Sequence, residues 1–164
     1  MLSKKLEEAL NAQINAEFWS AYLYLSMSAD MSDKGFSGVA NWFNIQFKEE
    51  QDHAMKIFNF VLSRGGKVEL KPIKEVQIEW KSILDAFEET LKHERVVTSL
   101  INELYYIATE SMLKWFIDEQ VEEEESARDI IDKLKLIGDN GYGLYQLDKE
   151  LAARVYTPIA TTAE

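Results

Sequence analysis

Apolar positions recur every three to four residues through most of the chain, the spacing of helix faces rather than of strands. The pattern is plain where Val39, Phe43, Phe47, Ala54, Ile57 and Val61 share one stripe. Glycine and proline interrupt it only at Gly35 and Gly38, at Gly65, Gly66 and Pro72, at Gly138, Gly141 and Gly143, and at Pro158. Long blocks between such marks predict helices joined at the marks. The expected helices run from about Ser3 to Met31 and from about Ser37 to Arg64, followed by a connection from Gly65 to about Trp80. The next breaker-free block extends from Ile73 to Ile137. A single helix from Lys81 to Ile137 would be roughly 85 Å long, more than one core can cover. A turn at Ala108 to Ser111 divides it, with Thr109 or Ser111 as the N-cap of the fourth helix. A short last helix is expected over Leu144 to Val155. The predicted fold class is all-α, a four-helix up-and-down bundle with a long crossover between the second and third helices and a short C-terminal fifth helix. Residues 1–155 form the expected domain, and residues 156–164 a loose C-terminal tail.

Acids interrupt the apolar stripes. The first helix reads Leu6, Leu10, Gln13, Glu17, Ala21, Tyr24, and the second Phe43, Gln46, Glu50, His53, Ile57. The third reads Phe87, Leu91, Glu94, Thr98, Ile101, and the fourth Met112, Phe116, Glu119, Glu123, Ser126, Ile130. An inward carboxylate is costly to desolvate unless it is paired or bound to metal. Their heights agree. Glu17 and Glu50 have their sequence midpoint at 33.5, beside Asp33 and Gly35. Glu94 and Glu123 have theirs at 108.5, inside the turn placed on other grounds. Two antiparallel hairpins thus bring their carboxylates level.

Glu50-x-x-His53 adds an imidazole on the same helix face. Alone, such a pair is common on solvated helices. Joined to Glu from three other helices it matches a di-iron carboxylate arrangement. Oxygen-rich donors with one imidazole suit iron or manganese, and Glu50 is placed to bridge two ions. In the run Glu122 to Glu125, Glu119, Glu122 and Glu123 share a face and turn inward, while Glu124 and Glu125 face solvent. Tyr24, one turn from Ser20 and two from Glu17, is a core aromatic placed for a hydrogen bond or redox role near the metals.

Charge and composition narrow the chemistry. The 164 residues carry 18 Lys plus Arg against 29 Asp plus Glu, a net charge of -11. That balance disfavours nucleic acid and anionic membrane as partners and favours cations. There is no cysteine, which removes thiolate zinc sites, iron–sulfur clusters and thiol nucleophiles and leaves oxygen-ligated iron. No apolar run approaches the ~18 residues of a membrane span, and the N-terminus has acids where a signal peptide needs an apolar run.

These motifs resemble the bacterial non-haem ferritins over nearly the whole chain. The resemblance rests on Asn15-Ala16-Glu17 with Ser20-Ala21-Tyr22-Leu23-Tyr24, on Glu49-Glu50-Gln51-Asp52-His53-Ala54, on Lys92-His93-Glu94, and on Trp115 through Glu124. It implies a cytoplasmic iron-storage ferroxidase that oxidises ferrous iron with dioxygen or hydrogen peroxide. The ferric product is stored as oxyhydroxide inside a homo-oligomeric cage of 24 subunits in the family. It further implies that Glu17, Glu50 and His53 hold a first iron. Glu50, Glu94 and Glu123 hold a second, with Gln120 close by. Glu49, Glu119, Glu122 and Glu123 hold an additional iron, and Tyr24 matches the tyrosine beside the di-iron centre. Seven of the 29 acids are thereby assigned to iron.

The sequence departs from that family at one place. The link at Ala108-Thr109-Glu110-Ser111 is shorter than the family's by roughly two helical turns. This corner helps line the family's three-fold channels, so the departure bears on assembly. The alternatives are third and fourth helices fused into one and exchanged between subunits, an altered assembly scaffold, or a di-iron oxidase or peroxidase without storage.

Overall fold

The computed structural model describes residues 2–107 and 111–159, and among these every regular element is a helix. The helices are α1 (Lys4–Asp33), α2 (Ser37–Ser63), α3 (Ile83–Ile107), α4 (Ser111–Ile137) and α5 (Gly141–Ala152). The all-α expectation of four long helices, a long crossover and a short fifth helix is met. The chain divides into two compact units, one of residues 1–79 with 148–164 and one of residues 80–147.

In the first unit, Ser3 caps α1 by accepting the Leu6 amide at 3.2 Å. The helix ends where Gly35 takes a φ of +85°, a left-handed turn that glycine adopts without strain. The Phe36 amide then returns to the Met31 carbonyl at 2.9 Å, which closes the helix end and starts α2. The two helices are antiparallel: Ser28 bonds the Ala40 carbonyl, Tyr24 stacks on Phe43, and Glu17 lies beside His53. Their shared core includes Leu10, Ile14, Tyr24, Met27, Phe43 and Ile57, all essentially without exposure.

The crossover follows α1. The Lys67 amide donates to Glu7 and the Glu69 amide to Asn11, while Glu75 and Gln77 offer carbonyls to Trp19 and Ser26. These contacts span about 28 Å of helix at 1.5 Å per residue. Side chains of α1 therefore satisfy backbone groups of a segment that forms no ladder of its own.

In the second unit α3 and α4 lie antiparallel. Glu88 near the start of α3 pairs with Lys135 near the end of α4, and Thr98 further along α3 bonds Glu124 earlier on α4, so one helix is climbed as the other descends. Helices that fold back on each other within one chain exclude the fused, exchanged arrangement. The expected turn and its Thr109 cap lie outside the described residues.

Two details differ from expectation. The inward stripe of α4 is Leu113, Phe116, Gln120, Glu123, Ala127 and Ile130, not the one through Glu119 and Ser126. Both stripes have helical spacing, and apolar Leu113 and Ala127 select the buried one over polar Ser126. Helix α5 begins three residues early, at Gly141, because Asn140 caps it by accepting the Gly143 amide at 2.9 Å. Gly143 is no breaker; a Cβ there would press on Ile137. Helix α5 also ends before the expected Val155, at Ala152, and Arg154 beyond it reaches Glu49 on α2. There Tyr156 donates to Asp52 at 2.5 Å, and the Ile159 amide donates to the same carboxylate at 3.2 Å.

Candidate metal centre

The sequence brings acids of α1 and α2 level, and the structure places them together. Ligand atoms of Glu17, Glu50 and His53 all lie within 4.8 Å of one another, and each residue is buried. His53 Nδ1 is 3.4 Å from Glu50 Oε2 and 4.0 Å from Glu17 Oε2. The i, i+3 spacing on α2 aims Glu50 and His53 at the same point, and the antiparallel turn at Gly35 brings α1 to it. Gln13, one turn before Glu17, donates Nε2–H to Glu17 Oε1 at 2.7 Å and fixes that carboxyl.

Two acids and an imidazole in one dry space conflict without a cation. Burial pushes the Glu17 carboxyl well above the usual carboxylate range, and the neighbouring Glu50 pushes it further; His53 and Gln13 offset part of this. A divalent cation would reverse that balance and let both carboxylates ionise. Two carboxylates with one imidazole form an oxygen-rich donor set suited to iron or manganese. Tyr24 is fully buried two turns along α1 from Glu17, its ring stacked on Phe43 at 6.1 Å.

The α3–α4 pair carries its own buried polar row. Glu94 has no solvent exposure, and Gln120 Nε2 donates to Glu94 Oε2 at 3.1 Å. Thr98 donates to Glu124 Oε1 at 2.8 Å and lies 3.4 Å from Gln120 Nε2. Glu123 is buried, Glu119 is half-buried, and Glu122 is exposed. Glu122 lies off the inward stripe, so the expectation that it turns inward is not met. Glu124, expected in solvent, is half-buried and close to Arg95 and Arg128. His93 is half-buried, and burial lowers its imidazole below the usual range, against the opposing pull of Glu94.

Glu49 has a partner that the sequence did not suggest. Arg154 Nη2 lies 2.6 Å from Glu49 Oε2, its Nη1 donates to the Trp42 carbonyl at 3.3 Å, and its guanidinium covers the Trp42 ring at 4.7 Å. Arg154 is 105 residues from Glu49 and has no periodic signature, so no sequence pattern links them. Gln13 and Thr98 were visible as polar members of apolar stripes, though not as supports for Glu17 and Gln120.

The family described as a ferritin-like domain matches residues 7–137. A protein named bacterial non-heme ferritin from Staphylococcus aureus (strain USA300) is 41% identical over 163 residues, covering 95% of this chain and 98% of the relative. A protein of the same name from Bacteroides fragilis (strain 638R) is 41% identical over 161 residues, covering 94% of this chain and all of the relative. Among solved structures, an engineered closed form of the Archaeoglobus fulgidus ferritin superimposes with a TM-score of 0.94 at 49% identity, covering 96% of this chain and all of that one. An open pore ferritin from the same archaeon gives 0.93 at 48%, covering 94% and 100%.

Proposed function

The chain belongs to the ferritin-like family, and on that premise we propose that it is an iron-storage ferroxidase. It oxidises ferrous iron at a di-iron carboxylate site and stores the ferric product as oxyhydroxide in a homo-oligomeric cage. The observation that carries this reading is the buried Glu17, Glu50 and His53 group, which has the donor types, the closeness and the burial of a site for a cation.

Each residue has a part. Glu17, Glu50 and His53 bind the first ferrous ion, and Gln13 orients Glu17. Glu94 and Glu123 serve the second iron, with Gln120 fixing Glu94. Each ferrous ion gives up one electron, and the oxidant, dioxygen or hydrogen peroxide, accepts the electrons together with protons. Hard carboxylates favour the ferric product through its higher charge, so the donor set assists the oxidation. Tyr24 sits within the same core and takes the role of the neighbouring redox tyrosine.

The family match over residues 7–137 supports treating residues 1–155 as one ferritin-like domain. A 24-subunit cage and a cytoplasmic location go with the reading. Among the described residues no helix is long and apolar enough to cross a membrane. Similarity along nearly the whole chain to proteins named bacterial non-heme ferritin favours storage over an altered scaffold or an oxidase without mineral.

The test is ferrous oxidation followed by particle analysis. Wild type should oxidise ferrous iron quickly and give an iron-filled particle by light scattering. Glu50→Ala and His53→Ala should lose fast oxidation while keeping helical content. Fast oxidation in both variants would sink the site assignment, and turnover without retained iron would favour the oxidase reading.

A further inference from the structure

The C-terminal segment is built into α2. Asp148 Oδ1 accepts the Val39 amide at 2.9 Å, and Asn41 Nδ2 donates to the Leu151 and Arg154 carbonyls at 3.3 and 3.1 Å. Beyond α5, Arg154 reaches Glu49 and Tyr156 reaches Asp52, while Lys48 Nζ lies 5.5 Å from the Tyr156 ring. The segment is thus pinned along α2 from Val39 to Asp52.

Arg154 stands at the centre of this strap. Its side chain and that of Glu49 are 26% and 22% exposed, so the pair is largely shielded from water. Three features hold the guanidinium at once: the Glu49 carboxylate, the Trp42 carbonyl and the Trp42 ring. A planar guanidinium fixed in this way is hard to displace, because its neighbours orient it before any ligand arrives.

We infer that Arg154 is the resident cation of Glu49 and limits each subunit to two tightly held iron ions. The inference rests on the ferroxidase reading above, since it concerns the carboxylate that the family resemblance gives to an additional iron. A divalent ion approaching Glu49 meets a fixed positive charge within hydrogen-bond distance of the oxygen it needs. It must detach Arg154 from Glu49 and from Trp42 before it can bind. Glu17 and Glu50 instead share one buried space with His53, two carboxylates facing one imidazole. The same protein therefore offers one carboxylate cluster that calls for a cation and one carboxylate that already has one.

Anaerobic titration of the full-length protein with cobalt(II), followed by calorimetry and the visible cobalt spectrum, tests this. Wild type should bind two equivalents per subunit tightly and a third at least tenfold more weakly. Arg154→Met keeps the aliphatic stem over Trp42 and removes the charge, so its third equivalent should tighten at least tenfold. Arg154→Lys and Tyr156→Phe should resemble wild type, the first because the charge remains and the second because only the strap is loosened. If Arg154→Met fails to fold, Arg154→Gln carries the same expectation. A tight third equivalent in wild type overturns the inference, as do superimposable wild-type and charge-free curves. Tightening by Tyr156→Phe equal to that of the charge-free variant also overturns it. Absence of any tight equivalent in wild type overturns the ferroxidase reading and this inference together.

Discussion

Gln13 donates Nε2–H to Glu17 Oε1 across 2.7 Å, with both side chains buried one helical turn apart on α1. The bond holds the carboxyl in one orientation towards Glu50 and His53. Supports of this kind typically contribute tenfold to a hundredfold to metal affinity. Gln13→Leu should therefore weaken the first ferrous or cobalt equivalent by roughly ten- to a hundredfold. Calorimetric titration beside a circular dichroism melt checks it: affinity should fall while the helical signal stays.

The raised pKa of Glu17 has a definite consequence for stability. Burial, then the Glu50 charge, raise the folded value above the unfolded one. At pH below the unfolded value both states are protonated and the group contributes nothing. As pH rises towards the folded value, the unfolded chain releases a proton that the folded chain keeps. Unfolding is then favoured progressively, and the cost is complete above the folded value. The metal-free protein should lose melting temperature as pH climbs from the ordinary carboxylate range towards neutrality. Glu17→Gln should flatten that slope. Added divalent cation should stabilise wild type more as pH rises, because it binds the ionised form. Melts across pH, with and without metal, measure all three; a slope equally steep in Glu17→Gln would disprove the assignment to Glu17.

Much of this centre was legible before any coordinates. Glu17, Glu50 and His53 could be placed because helix period and hairpin symmetry are local rules, and both hairpins obey them. Helix α4 shows where such rules end. Stripes through Glu119 or through Gln120 satisfy the same spacing, and only packing of Leu113 and Ala127 chooses. The Arg154–Glu49 pair was invisible for a different reason. It joins distant segments through one long side chain, and neither residue breaks a pattern by doing so. The early start of α5 was hidden because Asn140 capping outweighed the helix-breaking tendency of Gly141 and Gly143.

Thr98 supports the α3–α4 polar row. Its hydroxyl lies 2.9 Å from the Glu94 carbonyl, 2.8 Å from Glu124 Oε1 and 3.4 Å from Gln120 Nε2. Thr98→Val keeps the shape and removes these bonds. A loss of about 1–2 kcal/mol in unfolding free energy is expected, within the range for a partly buried hydrogen-bonded hydroxyl. Urea denaturation measures it. Unchanged stability would mean that Glu124 and Gln120 find other partners.

The docking of the C-terminal segment depends on a glycine. A Cβ on Gly38 would overlap the Asp148 carbonyl and crowd the Ala152 amide, both backbone groups that cannot rotate away. The same approach lets Asp148 Oδ1 accept the Val39 amide, one of the free donors at the start of α2. Gly38→Ala should force the segment off its seat, at about 1–3 kcal/mol or more if the strap detaches. Asp148→Ala removes only the cap and should cost about 1 kcal/mol. Chemical denaturation gives both values, and hydrogen exchange over residues 148–156 separates them. Gly38→Ala should speed exchange through that whole segment, whereas Asp148→Ala should affect chiefly the first turn of α2. Equal protection of residues 148–156 in Gly38→Ala and wild type would show that the backbone contact is not what seats the strap.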